Sequence, residues 1–312
     1  MTVPYVIAIA VLGGLLLFLI REVRRPAKRG SPWQKRVRVA LDALILLLAL
    51  LMFWGFFVEP NRLVIRHQTI LIQQWPQHLD GLRIAVLADI HAGGSFIDEN
   101  KLRKIVEQTN QLQPEMIVIL GDFIAGDGRQ HALYMEPEVF GPILKDFKAP
   151  LGVYAVLGNH DWWFDGLKVR QVLEQNGMKV LENEVVRIDA RGASLWLAGL
   201  ADLWTRPQRV EQTLAQVPQG EPLIALTHNP DIFVRLPSHV PLLLAGHTHG
   251  GQVRFPFIGS VVHSSRVGQR YERGHVFENG HHLFVTTGIG TSIMPVRFGV
   301  TPEIVLLTVK SQ

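Results

Sequence analysis

Residues 82–91 read LRIAVLADIH, an apolar run that ends abruptly in Asp89 and His91. The run is short and rich in residues that favour extended structure, so it predicts a buried β-strand whose exit loop carries a carboxylate and an imidazole. Four later runs have the same form, at residues 115–120, 153–157, 223–227 and 242–245. This repeated pattern predicts both the fold and the place where the functional residues lie.

The polar residues at the ends of these five strands form five exit loops. They read DIH (89–91), GD (121–122), GNHD (158–161), THN (227–229) and GHTH (246–249). In open α/β sheets, sites form outside the carboxyl ends of the strands, so five such loops can converge on one pocket. Each loop sequence alone is a weak or moderate indication of a functional site. All five in this order are a strong indication.

Helices alternate with the strands, which indicates an α/β domain. One helix is predicted over 98–111 with Asp98 as its N-cap, and another over 167–175 that stops at Asn176-Gly177. The second half is richer in strands, and its composition marks no break. We therefore expect residues 61–312 to form one catalytic domain.

The residue types in the exit loops are those of a metal centre. Carboxylate, amide oxygen and imidazole together suit Mn²⁺, Fe or Zn²⁺ rather than Ca²⁺. Asp89 and His91 are two residues apart, as are His247 and His249, so each pair would share one face of a regular strand. The chain has no cysteine, which excludes a thiolate site and a disulfide framework.

The first sixty residues have a different character. Residues 3–20 and 43–58 contain no charged side chain, and each run is about the length of a membrane-crossing helix. The segment 21–40 between them has eight basic residues and only one acidic residue, Glu22, which favours the cytoplasmic side. We predict a membrane anchor over 1–60, with two transmembrane helices and a basic loop. The alternative is a pair of buried core helices.

This arrangement predicts a multi-pass protein of the cell (inner) membrane whose domain 61–312 is extracytoplasmic. Arg62 and Arg66, just after the second run, are counter-evidence for that orientation. The chain's net charge of +4 comes from the basic loop, and residues 61–312 are close to neutral. No nucleic-acid partner is therefore expected.

The five exit loops resemble the calcineurin-like metallophosphoesterase superfamily, whose blocks are DxH, GD, GNH[DE], H and GHxH. The resemblance spans about residues 82–310 and implies a β-sandwich flanked by helices, two divalent metal ions and hydrolysis of a phosphoester. It is similar to the bacterial membrane-anchored branch in GGQ at 250–252, GIGTS at 288–292 and PVRF at 295–298. Many members carry an acidic residue or asparagine where this chain has Ala125.

The resemblance also implies a role for each loop residue. One ion would be held by Asp89, His91, Asp122 and His249. The second would be held by the bridging Asp122 with Asn159, His228 and His247. A hydroxide shared by the two ions would attack phosphorus in line, and His160, oriented by Asp161 and not itself a ligand, would protonate the leaving oxygen.

Further side chains are candidates for contact with the substrate. Arg297 and Arg270, together with Arg206, could bind phosphate, because a guanidinium does so bidentately; the alternative is an ordinary surface charge. Trp162 begins the sequence WWF at 162–164, which would form an apolar lip that grips a lipid or dips into the membrane. The alternative is that these rings pack the next helix onto the sheet.

Three functions follow as hypotheses. The first is a membrane-anchored phosphodiesterase or phosphatase that acts on a lipid or envelope-related substrate. The second is a cytoplasm-facing pyrophosphatase of lipid A synthesis, acting on a substrate of the UDP-2,3-diacylglucosamine type. The third is a non-catalytic binding protein with the same fold. A reporter fused at Gln312 separates the first two.

Overall fold

The computed structural model describes residues 3–24, 31–126, 134–237 and 239–312. The helices in these ranges are α1 (Val3–Arg24), α2 (Pro32–Phe53), α3 (Glu99–Gln111), α4 (Pro137–Leu144), α5 (Asn159–Gln175) and α6 (Val210–Leu214). The strands are β1 (Val64–Ile72), β2 (Leu82–Leu87), β3 (Met116–Leu120), β4 (Val153–Val156), β5 (Lys179–Val180), β6 (Glu184–Ala190), β7 (Ala193–Gly199), β8 (Leu223–Leu226), β9 (Leu242–Ala245), β10 (Arg254–Phe255), β11 (Gly259–Ser260), β12 (Gly274–Glu278), β13 (His281–Val285) and β14 (Glu303–Ser311).

Two six-stranded sheets carry the domain, in the orders β1-β14-β2-β3-β4-β5 and β12-β13-β9-β8-β7-β6. In the first sheet β2, β3 and β4 are parallel neighbours, and β14 runs antiparallel to β2. In the second sheet β7, β8 and β9 are parallel. The predicted α/β class is confirmed, with parallel and antiparallel pairings mixed in both sheets.

The sheets pack face to face, and alternation along each strand divides the apolar residues between two layers. Ile84 and Val86 of β2 share one buried core with Ile224 and Leu226 of β8. Ala85 and Leu87 of β2 point to the opposite face, where they pack with apolar side chains of α3, α4 and α5. On the outer face of the second sheet, α6 covers β8 and β9. This period of two produces a β-sandwich flanked by helices.

The helix predicted over 98–111 is confirmed, and the Asp98 carboxylate accepts a hydrogen bond from the Lys101 N–H at 2.7 Å. The helix predicted over 167–175 begins earlier, at Asn159, and ends as predicted before Asn176-Gly177. The earlier start places the GNHD residues in the first turn of α5, at the carboxyl end of β4. The sequence also predicts a helix over 131–147, interrupted by Pro137 and Pro142; residues 131–133 lie outside the described ranges, and the helix observed beyond them is α4.

Near the N-terminus, α1 packs against α2, and the Arg38 guanidinium lies 2.7 Å from the Glu22 carboxylate. α2 continues into further helical turns, giving one helix over Pro32–Asn61 that is long and apolar enough to cross a membrane. Only 6% of its 18-residue apolar stretch is buried, whereas a helix in a protein core would be mostly buried. Within the described ranges this is the one helix that meets both criteria, so the second predicted span has a matching helix, whereas the first, in α1, does not meet them.

Candidate metal centre

The exit loops of both sheets meet at one edge of the sandwich. Asp89 and His91 follow β2, Asp122 follows β3, and Asn159 begins α5 directly after β4. His228 follows β8, and His247 and His249 follow β9. All seven side chains are buried. The structure therefore brings together, from five separate loops, every residue that the sequence suggested as a ligand.

The donor atoms form two overlapping groups. In one, the Nε2 atoms of His91 and His249 are 3.1 Å apart, and Asp89 Oδ1 lies 3.7 Å from His249 Nε2. In the other, His228 Nε2 lies 3.3 Å from Asp122 Oδ2 and 3.1 Å from His247 Nδ1. Asn159 Oδ1 is 3.2 Å from the same His228 nitrogen. Asp122 Oδ2 also lies 3.7 Å from His91 Nε2, so it stands between the two groups.

Left-handed backbone conformations orient these side chains toward one another. Asp89, His91, Asp122, His247 and His249 all have positive φ angles, between 48° and 71°. Such angles are uncommon for residues other than glycine and cluster at functional sites. Both i, i+2 pairs lie beyond the strand ends, so neither shares a strand face as predicted; Asp89 and His91 still converge on one donor group, whereas His247 and His249 do not. His247 consequently joins Asp122 and His228, whereas His249 joins Asp89 and His91.

The exit loops of β3 and β4 approach so closely that the β4 loop requires glycine at position 158. A Cβ atom on Gly158 would lie 2.2 Å from Asp122 Oδ1 and 2.7 Å from the Asp122 nitrogen. Any larger residue would push the β4 exit loop away from the β3 exit loop. The glycine of the GNHD sequence is thus needed for Asp122 and Asn159 to approach one another.

Burial and mutual charge set the protonation of the cluster. Burial lowers the pKa of His91 and of His247 to about 3, which keeps both imidazoles neutral with a free lone pair. For His228, burial also acts to lower the pKa, but the charges of Asp122 and other carboxylates raise it to about 10. Burial raises the pKa of Asp89 to about 7. The high pKa of His228 marks a place where negative charge is concentrated and a cation is favoured.

These residues fit the pair of divalent ions that the resemblance implies. Donor atoms at ~2.0–2.2 Å from a shared ion lie about 3–3.5 Å from each other, close to the observed separations of 3.1–3.7 Å. Metal-ligating histidines also use their second nitrogen on a carbonyl or carboxylate. His228 Nδ1 lies 2.7 Å from the Leu120 carbonyl oxygen, and His91 Nδ1 lies 3.3 Å from that of Ile124.

His160 lies beside this cluster, in a group with His91 and Asp122. Its Nδ1 contacts the Gly126 carbonyl oxygen, and its Nε2 lies 3.1 Å from Ser292 Oγ. The Asp161 carboxylate does not bind the His160 ring as expected. It accepts backbone N–H groups of Asp122, Phe123, Ile124 and Gly158. Asp161 therefore fixes the exit loop of β3, and Gly126 and Ser292 orient His160.

The four predicted substrate contacts lie away from the open face of the cluster. The Arg297 guanidinium is fully buried, donates to the carbonyl oxygens of Gly290 and Thr287, and lies 3.4 Å from His249 Nδ1. Arg270 pairs with Glu278 at 2.6 Å on the surface. Trp162 packs under the guanidinium of Arg206, 4.2 Å from the ring centroid. Arg297 thus supports the loop behind His249, because its donors are already used by backbone carbonyls.

A cavity of about 410 Å³ opens over the cluster and shows which residues lie beside it. Trp163 and Trp204 flank the histidines, with ring centroids 4.8 Å from His160 and 4.3 Å from His247. The cavity is also lined by Val253, Val262, Ser292, Ile293, Met294 and Val296. Sequence reasoning did not single out Trp204, although it follows β7 in the same strand-exit position as the five loops.

Comparison with known proteins identifies the family of the chain. The model of the calcineurin-like phosphoesterase family matches residues 82–251. The chain is 30% identical over 258 residues to the metallophosphoesterase YkuE of Bacillus subtilis (strain 168), covering 82% of this chain and 88% of that protein. It is 29% identical over 319 residues to a "transmembrane protein with metallophosphoesterase domain" of Danio rerio, covering 95% and 67%. An archaeal phosphodiesterase structure is similar with a TM-score of 0.34 at 13% identity, covering 65% of this chain and 82% of that one.

The chain therefore belongs to the calcineurin-like phosphoesterase family. It is a metal-dependent phosphoester hydrolase, and its clustered Asp and His side chains are compatible with divalent metal binding.

Proposed function

We propose that this protein is a membrane-anchored phosphodiesterase that acts on a lipid-linked or envelope-related substrate. The observation that carries the proposal is the apolar character of the cavity above the ligand cluster. Trp163, Trp204, Ile293 and Met294 line it, and no lysine or arginine is among its described lining residues. A dianionic monoester would favour basic side chains there, whereas a singly charged diester with an apolar substituent suits this lining.

The seven ligand residues would hold two divalent ions of Mn, Fe or Zn type, with Asp122 shared between them. When bound, such ions supply Lewis acidity and positive charge beside the phosphoryl group. Asp122 Oδ1 accepts the His160 N–H at 2.9 Å, and the Asp89 carboxylate accepts the His247 N–H. These bonds hold the two sides of the cluster in register before substrate arrives, and such positioning lowers the cost of reaching the transition state.

His160 would act as the general acid. Because its Nδ1 is held by the Gly126 carbonyl oxygen, Nε2 is the nitrogen that faces the cavity and Ser292. A proton held at Nε2 can pass to the leaving oxygen of the substrate. Ser292 positions the ring, and Trp163 packs edge-on against its other side.

The proposal includes a division of the chain into a membrane anchor and a catalytic domain. Residues 1–60 would form the anchor, with α1 and α2 as two membrane spans, and residues 61–312 the extracytoplasmic catalytic domain. The helix over Pro32–Asn61 leads directly into β1 of the first sheet. An enzyme held this close to a bilayer has substrates of that bilayer within reach.

The test is hydrolysis by the purified full-length chain in detergent, loaded in turn with Mn²⁺, Zn²⁺ or Fe²⁺. A bis-aryl phosphate diester, an aryl phosphate monoester and phospholipid vesicles serve as substrates. We expect the diester to be cleaved faster than the monoester. Preference for the monoester would overturn the phosphodiesterase assignment, and inactivity on all of them with metal bound would favour the non-catalytic alternative.

The orientation is tested separately with reporter domains fused after Gln312. An alkaline phosphatase fusion should be active and a cytoplasmic reporter inactive if the domain is extracytoplasmic. The reverse result would favour the cytoplasmic pyrophosphatase, whose nucleotide-linked substrate should then be included in the screen.

A further inference from the structure

Two loops beside the cavity expose an unusual concentration of large apolar side chains. We call the following residues the apolar rim: Phe255, Phe257, Ile258, Val261, Val262, Ile293 and Met294. Phe257 is fully exposed, Ile293 is 91% exposed, and Ile258 is 72% exposed. Exposed apolar residues are ordinary when scattered, but a contiguous group marks an interaction surface.

The tips of both loops carry these side chains at a conformational cost. Phe257 is the middle residue of the three-residue turn between β10 and β11 and has a φ of 67°. Ile293 has a φ of 62° in a tight turn closed by the bond from Met294 N–H to the Ser292 carbonyl oxygen. Glycine or asparagine is the usual residue at such positions, and a β-branched or aromatic residue is a genuine outlier. The chain therefore keeps bulky apolar groups at the two points where local structure disfavours them.

The rim is continuous with the end of the candidate membrane helix. The Gly55 carbonyl oxygen accepts the Arg297 N–H at 3.0 Å, and a Cβ on Gly55 would lie 3.3 Å from the Arg297 carbonyl oxygen. Trp54 and Phe298 line a cleft together with Phe255, Phe257 and Ile258. The rim thus lies at the level where the helix leaves its apolar segment.

A buried carboxylate holds this arrangement in place. Glu59 accepts hydrogen bonds from Trp54 Nε1 at 2.9 Å, from Gly299 N–H at 2.8 Å and from Thr301 Oγ1 at 3.3 Å. These bonds join the helix end to the segment that follows Phe298. The orientation of the domain relative to the helix is therefore fixed by direct contacts, so the rim keeps its position beside the helix end.

Charged side chains in the same region suit the headgroup layer. The Arg62 guanidinium lies over the Trp54 ring at 5.3 Å, and Arg273 lines the cleft beside Phe257. Aromatic and arginine side chains together are typical of the membrane interface, where arginine attracts anionic headgroups.

From these observations we propose that the apolar rim inserts into the same bilayer leaflet surface from which α2 emerges, so that the catalytic cavity opens onto lipid. Val262, Ile293 and Met294 belong both to the rim and to the cavity wall. A lipid phosphoester could then move from the membrane to the ligand cluster without its apolar chains crossing water. This inference rests on the proposed membrane anchor and deepens the proposed choice of substrate.

The absence of native cysteine permits a direct test. Single-cysteine variants Phe257→Cys and Ile293→Cys of the full-length chain are labelled with an environment-sensitive fluorophore. Gln219→Cys, exposed before β8 at the opposite end of the sandwich, is the matched control. The proteins are placed in vesicles of phosphatidylethanolamine and phosphatidylglycerol. Labels at 257 and 293 should shift to shorter emission wavelength and be quenched by lipid-borne quenchers, and the label at 219 should not.

Two results would overturn the inference. Labels at 257 and 293 could remain as accessible to water-soluble quenchers as the label at 219. They could instead be shielded both in detergent and in vesicles but not reached by lipid-borne quenchers, which would mean that protein covers the rim. Neither fluorescence readout depends on catalysis. The proposed insertion of the rim can therefore be disproved while the phosphodiesterase assignment stands, and the phosphodiesterase assignment can be disproved while the insertion stands.

A functional variant completes the test. Phe257→Asn places a residue that tolerates positive φ at the turn, so folding should be kept or improved. We expect kcat/KM on vesicle-borne lipid diesters to fall on the order of tenfold through loss of an inserted ring. Activity on the soluble bis-aryl diester should be unchanged. Equal activity of the variant and the wild type on both substrates would contradict a role for the rim in delivering lipid.

Discussion

The Nδ1 of His228 lies 2.7 Å from the carbonyl oxygen of Leu120, the last residue of β3, and this contact joins the two sheets at the ligand cluster. With Nδ1 bound there, Nε2 points at Asp122 and Asn159, 3.3 and 3.2 Å away. The second sheet thus presents a candidate ligand beside the candidate ligands of the first sheet. Since the partner is a backbone atom, the orientation of His228 depends on the packing of the sandwich.

Asp122 is expected to be indispensable for metal binding, because its carboxylate stands between the two groups of donors. Asp122→Asn should lose bound metal and reduce activity by on the order of 10³-fold or more, since ions contribute several kcal/mol of charge stabilisation. Metal content by elemental analysis beside initial rates checks this. Asp231→Asn is the matched control: Asp231 is also buried, but it binds Ser265 Oγ and the Arg266 N–H. A variant at 122 with full metal content would contradict the shared-ligand assignment.

His160→Gln should separate catalysis from metal binding. We expect a loss of about 10²–10⁴-fold in kcat, which is typical of removing a general acid, with both ions retained. His281→Gln is the control, because His281 is equally buried and likewise contacts a carbonyl oxygen, that of Val240. Loss of metal from His160→Gln would instead identify His160 as a metal ligand. Its position in one group with His91 and Asp122 would allow that role.

Trp204 should determine affinity for the apolar part of the substrate. Trp204 is 44% exposed, lines the cavity and packs its ring edge-on against His247. Trp204→Ala should raise KM for a bis-aryl diester about tenfold through lost apolar contact, with a smaller change in kcat. Trp204→Phe should recover most of the affinity. An unchanged KM in the alanine variant would show that the substrate does not use this wall.

Asp161 is expected to matter for stability, since its carboxylate accepts four backbone N–H groups in a fully buried position. Asp161→Ala leaves those donors without partners and should lower the free energy of unfolding by about 3 kcal/mol. Thermal or urea unfolding measures the change. Asp98→Ala, which removes only the N-cap of α3, should cost about 1 kcal/mol. Equal effects of the two substitutions would argue against this account of Asp161.

Glu59 should hold the helix end against the domain. Glu59→Ala removes the acceptor for Trp54, Gly299 and Thr301, which should cost about 2 kcal/mol. Faster limited proteolysis near Arg62 would report the loosened junction. Glu99→Ala, at an exposed position in α3, is the control and should leave the cleavage rate at its wild-type value. If both variants were cleaved at the same rate, Glu59 would not secure the junction.

The sequence was informative where the controlling interactions are local. The apolar runs that form β2, β3, β4, β8 and β9 were predictable from their composition, and the Asp98 cap from its position before an apolar face. The short strands β5, β11 and β12 were not predictable, because pairing with neighbours in the sheets supports them more than their own residues do. The same holds for the start of α5 at Asn159, which depends on contacts with the β3 exit loop.

Residue roles outside the motifs were less predictable. Arginine is a residue type that often binds phosphate. In this fold, however, Arg297 is buried and donates its hydrogen bonds to the carbonyl oxygens of Gly290 and Thr287. Trp162 and Trp163 are adjacent in sequence, but only Trp163 lines the cavity. Such differences arise because a helix turns by about 100° per residue, so neighbouring side chains face different surroundings.

By itself, the sequence determined the strand pattern, the five exit loops and the kind of chemistry that their side chains support, because these are properties of short segments. Only the tertiary structure decided that His247 and His249 divide between two groups of donors, since left-handed backbone angles and packing of the two sheets set their directions. The tertiary structure alone also placed Trp204 and Ile293 at the cavity, and Glu59 at the junction between the helix and the domain. Those positions depend on contacts between residues far apart in the chain, which no local pattern records.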